Sequence, residues 1–446
     1  MSDTASGVPL GGVGRVVQAA IYRAGAFGRR PVVPTDGTRL EEVARKHLSR
    51  RAFAYIAGSA GSEAGARANT AAFDRWQVVP RLLVDTTERD LSVQLLGRRH
   101  ASPFLVAPVG VLSMAHADAD VGVARAARAQ DVTQIISTQA SVPMERIAAE
   151  LDGAAHWYQL YWSSDDDLVE SLVGRAEACG SEAVVVTLDT AYLGWRPRDL
   201  DLGHLPFARA EGIAQYTSDP VVRRLVAERV AAPTPTTDRP RPTPGAVATL
   251  LALSRNHPGR TRDNLGSPEP RAAVETFLDV FSRPSLTWAD LPRLRSMTSL
   301  PIVLKGILHP DDARRAVDAG VDVVYVSNHG GRQVDRTIAS LDALPDVVAA
   351  VRSTSPDTPV IFDGGIRCGA DAFVALCLGA SSVAIGRPHV YGLAIGGSEG
   401  AAEVLRNLHA ELDLLLGLTG CTSLDDLTPD RLVRAGGPHR PEDDRP

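Results

Sequence analysis

Cysteine is scarce in this chain, and what there is lies scattered. Only Cys179, Cys368, Cys377 and Cys421 occur in 446 residues. None forms a CxxC pair and no histidine stands at ligand spacing beside one, which argues for a reducing compartment and against a zinc site. Basic charge is not in excess: 47 Lys and Arg against 53 Asp and Glu leave a net −6. That offers no positive field for nucleic acid or anionic lipid. Long apolar runs are missing too. No stretch reaches the roughly eighteen apolar residues that span a bilayer, and Val13 to Ile21 is interrupted by Gly14, Arg15 and Gln18, unlike a signal peptide. A cytoplasmic protein with no membrane partner, no nucleic-acid partner and no metal is expected.

What is present is ordinary globular material, 44% hydrophobic and 22% charged, with 39 Gly and 30 Pro to make turns. Short Val/Ile-rich runs recur at 104–108, 134–137, 157–161, 183–187, 301–305, 323–327, 359–363 and 382–386. They lack polar alternation, as strands buried on both faces do. Helical patterns separate most of them, over 118–129, 144–151, 167–179, 310–319 and 370–378, and Gly180, Gly320 and Gly379 follow three of these as helix stops. Alternating strand and helix means βαβ units, and eight strands close a (β/α)₈ TIM barrel. An open doubly wound sheet is the alternative, weakened because no GxGxxG follows the first strand.

The barrel is assigned to 39–430, with an N-terminal extension over 1–38 and a flexible tail over 431–446. A long insertion at about 204–290 separates strands four and five, and its Pro/Thr-rich stretch 231–244 should not pack as regular structure. Since loops after barrel strands lie on the catalytic face, an active-site lid with a mobile middle is expected, an inert insert being the other reading.

Polar residues gather where the strands end, the face on which barrel enzymes keep their sites. Strand three ends in Gln159 and Tyr161, strand four in Thr187 and Asp189, and strand five in Lys305. Strand six runs into Ser327-Asn-His-Gly-Gly-Arg332, strand seven into Asp363-Gly-Gly-Ile-Arg367 and strand eight into Gly386-Arg387. Glycine turns on two consecutive strands let backbone N–H groups close on a phosphate, with Arg367 and Arg387 adding charge; glycines serving the turns alone are the blander reading. His329 beside Asp189 would be held in one tautomer and made a stronger base. Lys305 on a buried strand end needs an anion nearby. Proton abstraction over an anionic cofactor follows as the better reading.

These residues closely resemble the FMN-dependent α-hydroxy acid dehydrogenase and oxidase family, and within it the lactate 2-monooxygenase branch. The likeness rests on Thr86-Thr-Glu-Arg-Asp-Leu-Ser-Val93, Thr187-Leu-Asp-Thr190, Gly194-Trp-Arg-Pro-Arg-Asp-Leu200, Ser327-Asn-His-Gly-Gly-Arg-Gln333 and Asp363-Gly-Gly-Ile-Arg367, within about residues 40–425. It implies FMN as cofactor. Pro108, Val109 and Gly110 would contact the isoalloxazine, Ser137, Gln159 and Thr187 would hydrogen-bond the ring, and Lys305 would stabilise the reduced ring's charge. Asp363, Gly364, Gly365, Arg367, Gly386 and Arg387 would hold the ribityl phosphate. Arg332 and Arg196 would clamp the substrate carboxylate. Tyr55 would assist them, on the looser match of Tyr55-Ile-Ala-Gly58 before Ala68-Asn69, and Tyr161 would bond the C2 hydroxyl. His329 would take the proton and Asp189 orient it. Whether that proton leaves C2 or the hydroxyl is left open.

The implied reaction is oxidation of a small L-2-hydroxy acid, L-lactate first, by O₂, with decarboxylation to acetate, CO₂ and water. Release of keto acid and H₂O₂ is the alternative, and a catalytically silent FMN-binding barrel the alternative of another class. Gln139 stands where glycolate oxidases carry Trp, Trp195 where they carry Arg, and Gly110 where many oxidases carry Ala. These departures agree with the monooxygenase branch. A homotetramer is implied by the resemblance alone.

Overall fold

The computed structural model describes residues 12–232 and 243–436. Eight parallel strands close a barrel: β1 Phe104–Val106, β2 Thr133–Ile136, β3 His156–Leu160, β4 Val184–Thr187, β5 Ile302–Ile307, β6 Val323–Val326, β7 Val360–Phe362 and β8 Ser382–Ile385. They follow one another round the barrel in chain order, β8 returning to β1 through Val383 beside Phe104. The expected (β/α)₈ fold is therefore the fold observed, each strand within a few residues of its apolar run.

The missing polar alternation has a direct cause. Along β3, Trp157 points into a cluster inside the barrel while Tyr158 points to the larger cluster shared with the helices, and both are fully buried. Leu105, Ala107, Ile135, Ala183, Val185, Val303, Val323, Tyr325, Ile361 and Ala384 complete the inner cluster, joined by Leu95 from a small hairpin, Val93–Leu95 with Arg98–His100. Both faces of every strand are thus buried, and mostly apolar. The helices match their patterns, Met144–Leu151 to the residue, and Gly180 follows Asp166–Ala178 at φ 79°, a left-handed stop that glycine takes without strain.

The segments outside the repeat have structure of their own. Residues Gly12–Ala26 form a helix whose Gly14 N–H donates to Asp413 on the last helix, Arg387–Thr419; Arg89 pairs with the same carboxylate at 2.8 Å, both partners buried. The insertion is largely helical, through Pro220–Ala231, Pro244–Asn256 and Glu269–Val280. Its core is aromatic: Phe277 packs on Tyr216 and Phe207, with ring centroids 4.7 and 5.2 Å apart. The Pro/Thr stretch is regular at its margins, where Ala231 ends one helix while Thr243 caps and Pro244 opens the next; the mobile middle expected there lies outside the described residues. The tail is ordered past its expected start, since Leu432–Arg434 pairs antiparallel with Trp76–Val78; residues 437–446 lie outside the described residues. Among the described residues no helix is long and apolar enough to cross a membrane.

Candidate active site

The loop after β6 makes a turn that few side chains tolerate. His329, Gly330 and Gly331 take φ of 56, 61 and 75° in succession, all left-handed. A Cβ on Gly330 would lie 2.9 Å from the Arg387 guanidinium, and one on Gly331 2.5 Å from the Ala66 nitrogen. Backbone contact requires glycine at Gly331, the left-handed φ favours it at Gly330, and His329 itself sits in a conformation disfavoured for a residue with a side chain. The turn brings His329 Nδ1 to 2.8 Å from Asp189 Oδ1 beyond β4. Burial lowers the imidazole below its ordinary value against the upward pull of Asp189, so His329 is neutral near pH 7. Burial would raise the Asp189 carboxyl, but the His329 imidazole and then Lys305 outweigh it and hold it at about 2. A neutral imidazole backed by a fixed carboxylate is equipped to accept a proton.

Asp189 can stand there because β5 bulges. The register between β5 and β6 shifts between Lys305 and Ile307, and Gly306, at φ 111°, leaves only 3.2 Å between a hypothetical Cβ and the Asp189 side chain. Just before the bulge, Lys305 Nζ donates to Ser327 Oγ at 2.7 Å and lies 3.4 Å from Asp363 Oδ2. Asp363 in turn accepts from Ser327 and from Tyr325. The buried ammonium thus has a local carboxylate partner. The anion that the sequence demanded of Lys305 is in the first place Asp363.

A cavity of about 1040 Å³ opens over these strand ends. Its walls hold Pro108, Val109 and Gly110, Tyr55 and Tyr161, Arg196 and Arg332, His329 and Lys305, Asp363, Gly364 and Gly365, Arg367, Gly386 and Arg387. Ser137, Gln159 and Thr187 stand outside that wall in a buried chain: Ser137 donates to Gln159 Oε1 at 3.0 Å and Gln159 Nε2 to Thr187 at 2.9 Å. Thr187 and Asp189 line a neighbouring cavity that shares Tyr161 and Thr190 with the first.

The cations are crowded. Burial and then the nearby Arg332 guanidinium lower Arg196 to about 10, and burial, with Arg332 and Arg367 adding repulsion, lowers Arg387 to about 10. Their hydrogen bonds go to uncharged acceptors: Arg332 to the carbonyls of Tyr55 and Gly58, Arg387 to those of Ile56, Gly58 and Gly330 and to Ser59, and Arg367 to the Ile366 carbonyl. An entering carboxylate or phosphate would exchange these for stronger charge-assisted bonds. A Cβ on Gly386 meets nothing within 4 Å, and Gly364 and Gly365, at φ 118 and 98°, press against Ser340 and Asn69. Cationic side chains, open glycine backbone and a buried ammonium at the strand ends suit a phosphate-bearing ring that becomes negative on reduction.

Comparison with known proteins agrees. The FMN-dependent dehydrogenase family profile matches residues 44–434. The chain belongs to the FMN-dependent dehydrogenase family. It is 41% identical over 94% of its length to the FMN-dependent alpha-hydroxy acid dehydrogenase qulF of Penicillium citrinum, covering 96% of that protein. To the L-lactate oxidase of Lysinibacillus sphaericus it is 36% identical, over 89% of this chain and 92% of that one. A crystal structure of mandelate oxidase with (S)-4-hydroxymandelic acid superposes with TM-score 0.72 at 36% identity, covering 90% of this chain and 99% of the other. FMN is the cofactor, and 2-hydroxy acid oxidation is the chemistry of this family of enzymes.

Two supports of this flavoenzyme's site were not anticipated. Gln333 Nε2 donates to the carbonyls of Asp189 and Tyr192, while its Oε1 accepts from Arg196 at 2.8 Å, tying the β4 loop to the β6 loop. Asn69 and Asn328 exchange two hydrogen bonds beneath the His329 turn. All three residues stand inside the motifs quoted above, and only their lack of a catalytic type hid them.

Proposed function

We propose that this chain oxidises an L-2-hydroxy acid, L-lactate being the simplest, to the 2-keto acid with O₂ as acceptor. The convergence of His329, backed by Asp189 from behind the cavity wall, with Arg196, Arg332 and the two tyrosines on one cavity carries this reading. Arg196 and Arg332 hold the substrate carboxylate with help from Tyr55, and Tyr161 meets the C2 hydroxyl. Neutral His329 then takes a proton on Nε2, the nitrogen left over once Nδ1 faces Asp189, and the carboxylate stabilises the imidazolium. Lys305, Asp363, the glycine turns, Arg367 and Arg387 hold FMN, with Pro108 to Gly110 against the ring and the Ser137–Gln159–Thr187 chain at its edge. Bound there, FMN supplies the two-electron acceptor. The (S)-acid named in the mandelate oxidase structure supports an L-configured substrate, and the relative named L-lactate oxidase supports O₂.

The finer reading is that the H₂O₂ formed from O₂ oxidises the keto acid before either leaves: its O–O bond and the C1–C2 bond break, giving acetate, CO₂ and water. Two features support retention of the product: Phe207 of the insertion packs edge-on against Tyr55 at 6.4 Å, and Gly212 abuts Val111 and Gln139. Residues 204–290 then act as the lid over a barrel of 39–430, in a cytoplasmic homotetramer. Release of free keto acid and H₂O₂ is the second reading, favoured by the relative named an oxidase. The test is addition of L-lactate to the yellow protein under argon, then an aerobic count of keto acid, peroxide and CO₂. Bleaching with acetate and CO₂ as products supports the full reading. Pyruvate and H₂O₂ alone would leave an oxidase, and no bleaching would sink both.

A further inference from the structure

Gln139 lines the same cavity as the two arginines and two tyrosines, yet takes no part in the reaction described above. It is only 7% exposed, and its Nε2 is buried with no hydrogen-bond partner among the described residues. A buried amide without a partner is destabilising and calls for an explanation.

The position is rigid. Val111 N–H donates to the Gln139 carbonyl at 2.9 Å, and Gln139 N–H donates to Ser137 Oγ at 3.1 Å. The next residues are pinned as well, Ala140 O by Ala214 N–H of the insertion and Ser141 N–H by the buried Asp120 carboxylate at 2.8 Å. Across the cavity wall, a Cβ on Gly110 would come within 2.8 Å of both the Gln139 Cβ and its carbonyl oxygen. Gly110 is therefore what lets the Gln139 stem press against the β1 turn. Val109 and Leu193 add apolar surface to the same cavity. The carboxamide is thus an unpaired polar group on a stem whose backbone and Cβ are held in place.

We propose that Gln139 is a specificity determinant that donates a hydrogen bond to an oxygen on the substrate's side chain. This rests on the 2-hydroxy acid reaction proposed above and narrows its substrate class to acids carrying an oxygen acceptor beyond C2. A site built to bond an oxygen discriminates against the analogue that lacks it, because the buried donor is then left unpaired.

The experiment compares L-glycerate with L-2-hydroxybutyrate, which differ by a terminal hydroxyl in place of a methyl, with L-lactate as reference. The holoenzyme should favour glycerate in kcat/KM by about tenfold or more, the equivalent of one hydrogen bond. In Gln139→Met, similar in length and without the donor, that ratio should fall about tenfold. Comparing the two proteins removes the intrinsic reactivity difference of the acids. A holoenzyme preferring 2-hydroxybutyrate overturns the proposal. So does a Gln139→Met ratio equal to that of the parent, with FMN binding weakened instead, which would turn the amide toward the cofactor. Oxidation of L-lactate with a flat ratio leaves the reaction standing and removes only this inference; no oxidation of any acid removes both.

Discussion

The carboxamides of Asn69 and Asn328 donate to each other, 2.8 Å in each direction, directly under the turn that carries His329. The pair is buried, Asn69 2% and Asn328 5% exposed, and Asn69 Oδ1 also accepts from the Ser340 N–H. The left-handed backbone at His329 is thus held from below by an amide on a helix that precedes the barrel. Asn69→Leu should destabilise the protein by about 2–3 kcal/mol, because it removes two hydrogen bonds from buried Asn328 and leaves the Ser340 N–H unpaired. It should also slow flavin reduction as the loop loosens. Urea unfolding alongside stopped-flow bleaching measures both, and unchanged stability would mean the pair is dispensable.

His329→Ala should keep FMN and lose reduction by substrate about 10²–10⁴-fold, the usual contribution of a positioned base. Flavin content from the visible spectrum and the anaerobic bleaching rate separate the two effects. Equal loss of both would assign the imidazole to structure.

The pH profile should follow from the same pair. His329 must be neutral to accept a proton, and burial keeps it below its ordinary value of about 6.5. kcat/KM should therefore rise below pH 6.5 and be level by neutrality. Asp189 is held at about 2, under the carboxylate reference of about 3.9. Its contribution to stability is present above about pH 4 and lost as pH falls toward 2. Asp189→Asn should abolish that acid-side loss and, with the upward pull on His329 removed, move the kinetic limb lower at a reduced rate. A limb above pH 7 in the parent would contradict a neutral base.

Arg332→Lys should raise KM for the hydroxy acid about a hundredfold with FMN still bound. A lysine ammonium cannot keep one nitrogen on the Tyr55 and Gly58 carbonyls, as Arg332 does through Nη1, and also offer a carboxylate the planar fork of a guanidinium. Steady-state kinetics with the flavin content fixed decides this, and a change in kcat alone would place Arg332 elsewhere in the reaction.

Lys305→Met removes one half of a buried pair and leaves Asp363 with only Tyr325 and Ser327. Losing one partner of such a pair typically costs about 2–5 kcal/mol. FMN should bind correspondingly more weakly, measured by fluorescence titration of the stripped protein. Parent-like affinity would show that Lys305 serves the strand ends alone.

Strand positions were legible because burial on both barrel faces writes an uninterrupted apolar run, as at 184–187, and helix stops were legible because a left-handed turn asks for glycine, as at Gly180. The insertion was harder to read. Its helices are anchored by Phe207, Tyr216 and Phe277, which meet one another across long separations and leave no local pattern. Gln333 was missed for a related reason: an amide can be solvent-facing or can bridge two loops, and the residue type is the same in both cases.

By itself, the order of residues determined which chemistry was available: eight runs that must be buried, glycines where the backbone must reverse, and a base, an acid and cations at the ends of those runs. Only folding decided which of them meet. Asp189 and His329 are 140 residues apart in the chain and 2.8 Å apart in space. That closeness depends on barrel closure, on the bulge at Gly306 and on the turn at Gly330 and Gly331. Lys305 likewise finds its carboxylate in Asp363, two strands away round the barrel. Local propensity acts over a few residues, whereas the distance between two strand ends is set by the register of the whole closed sheet.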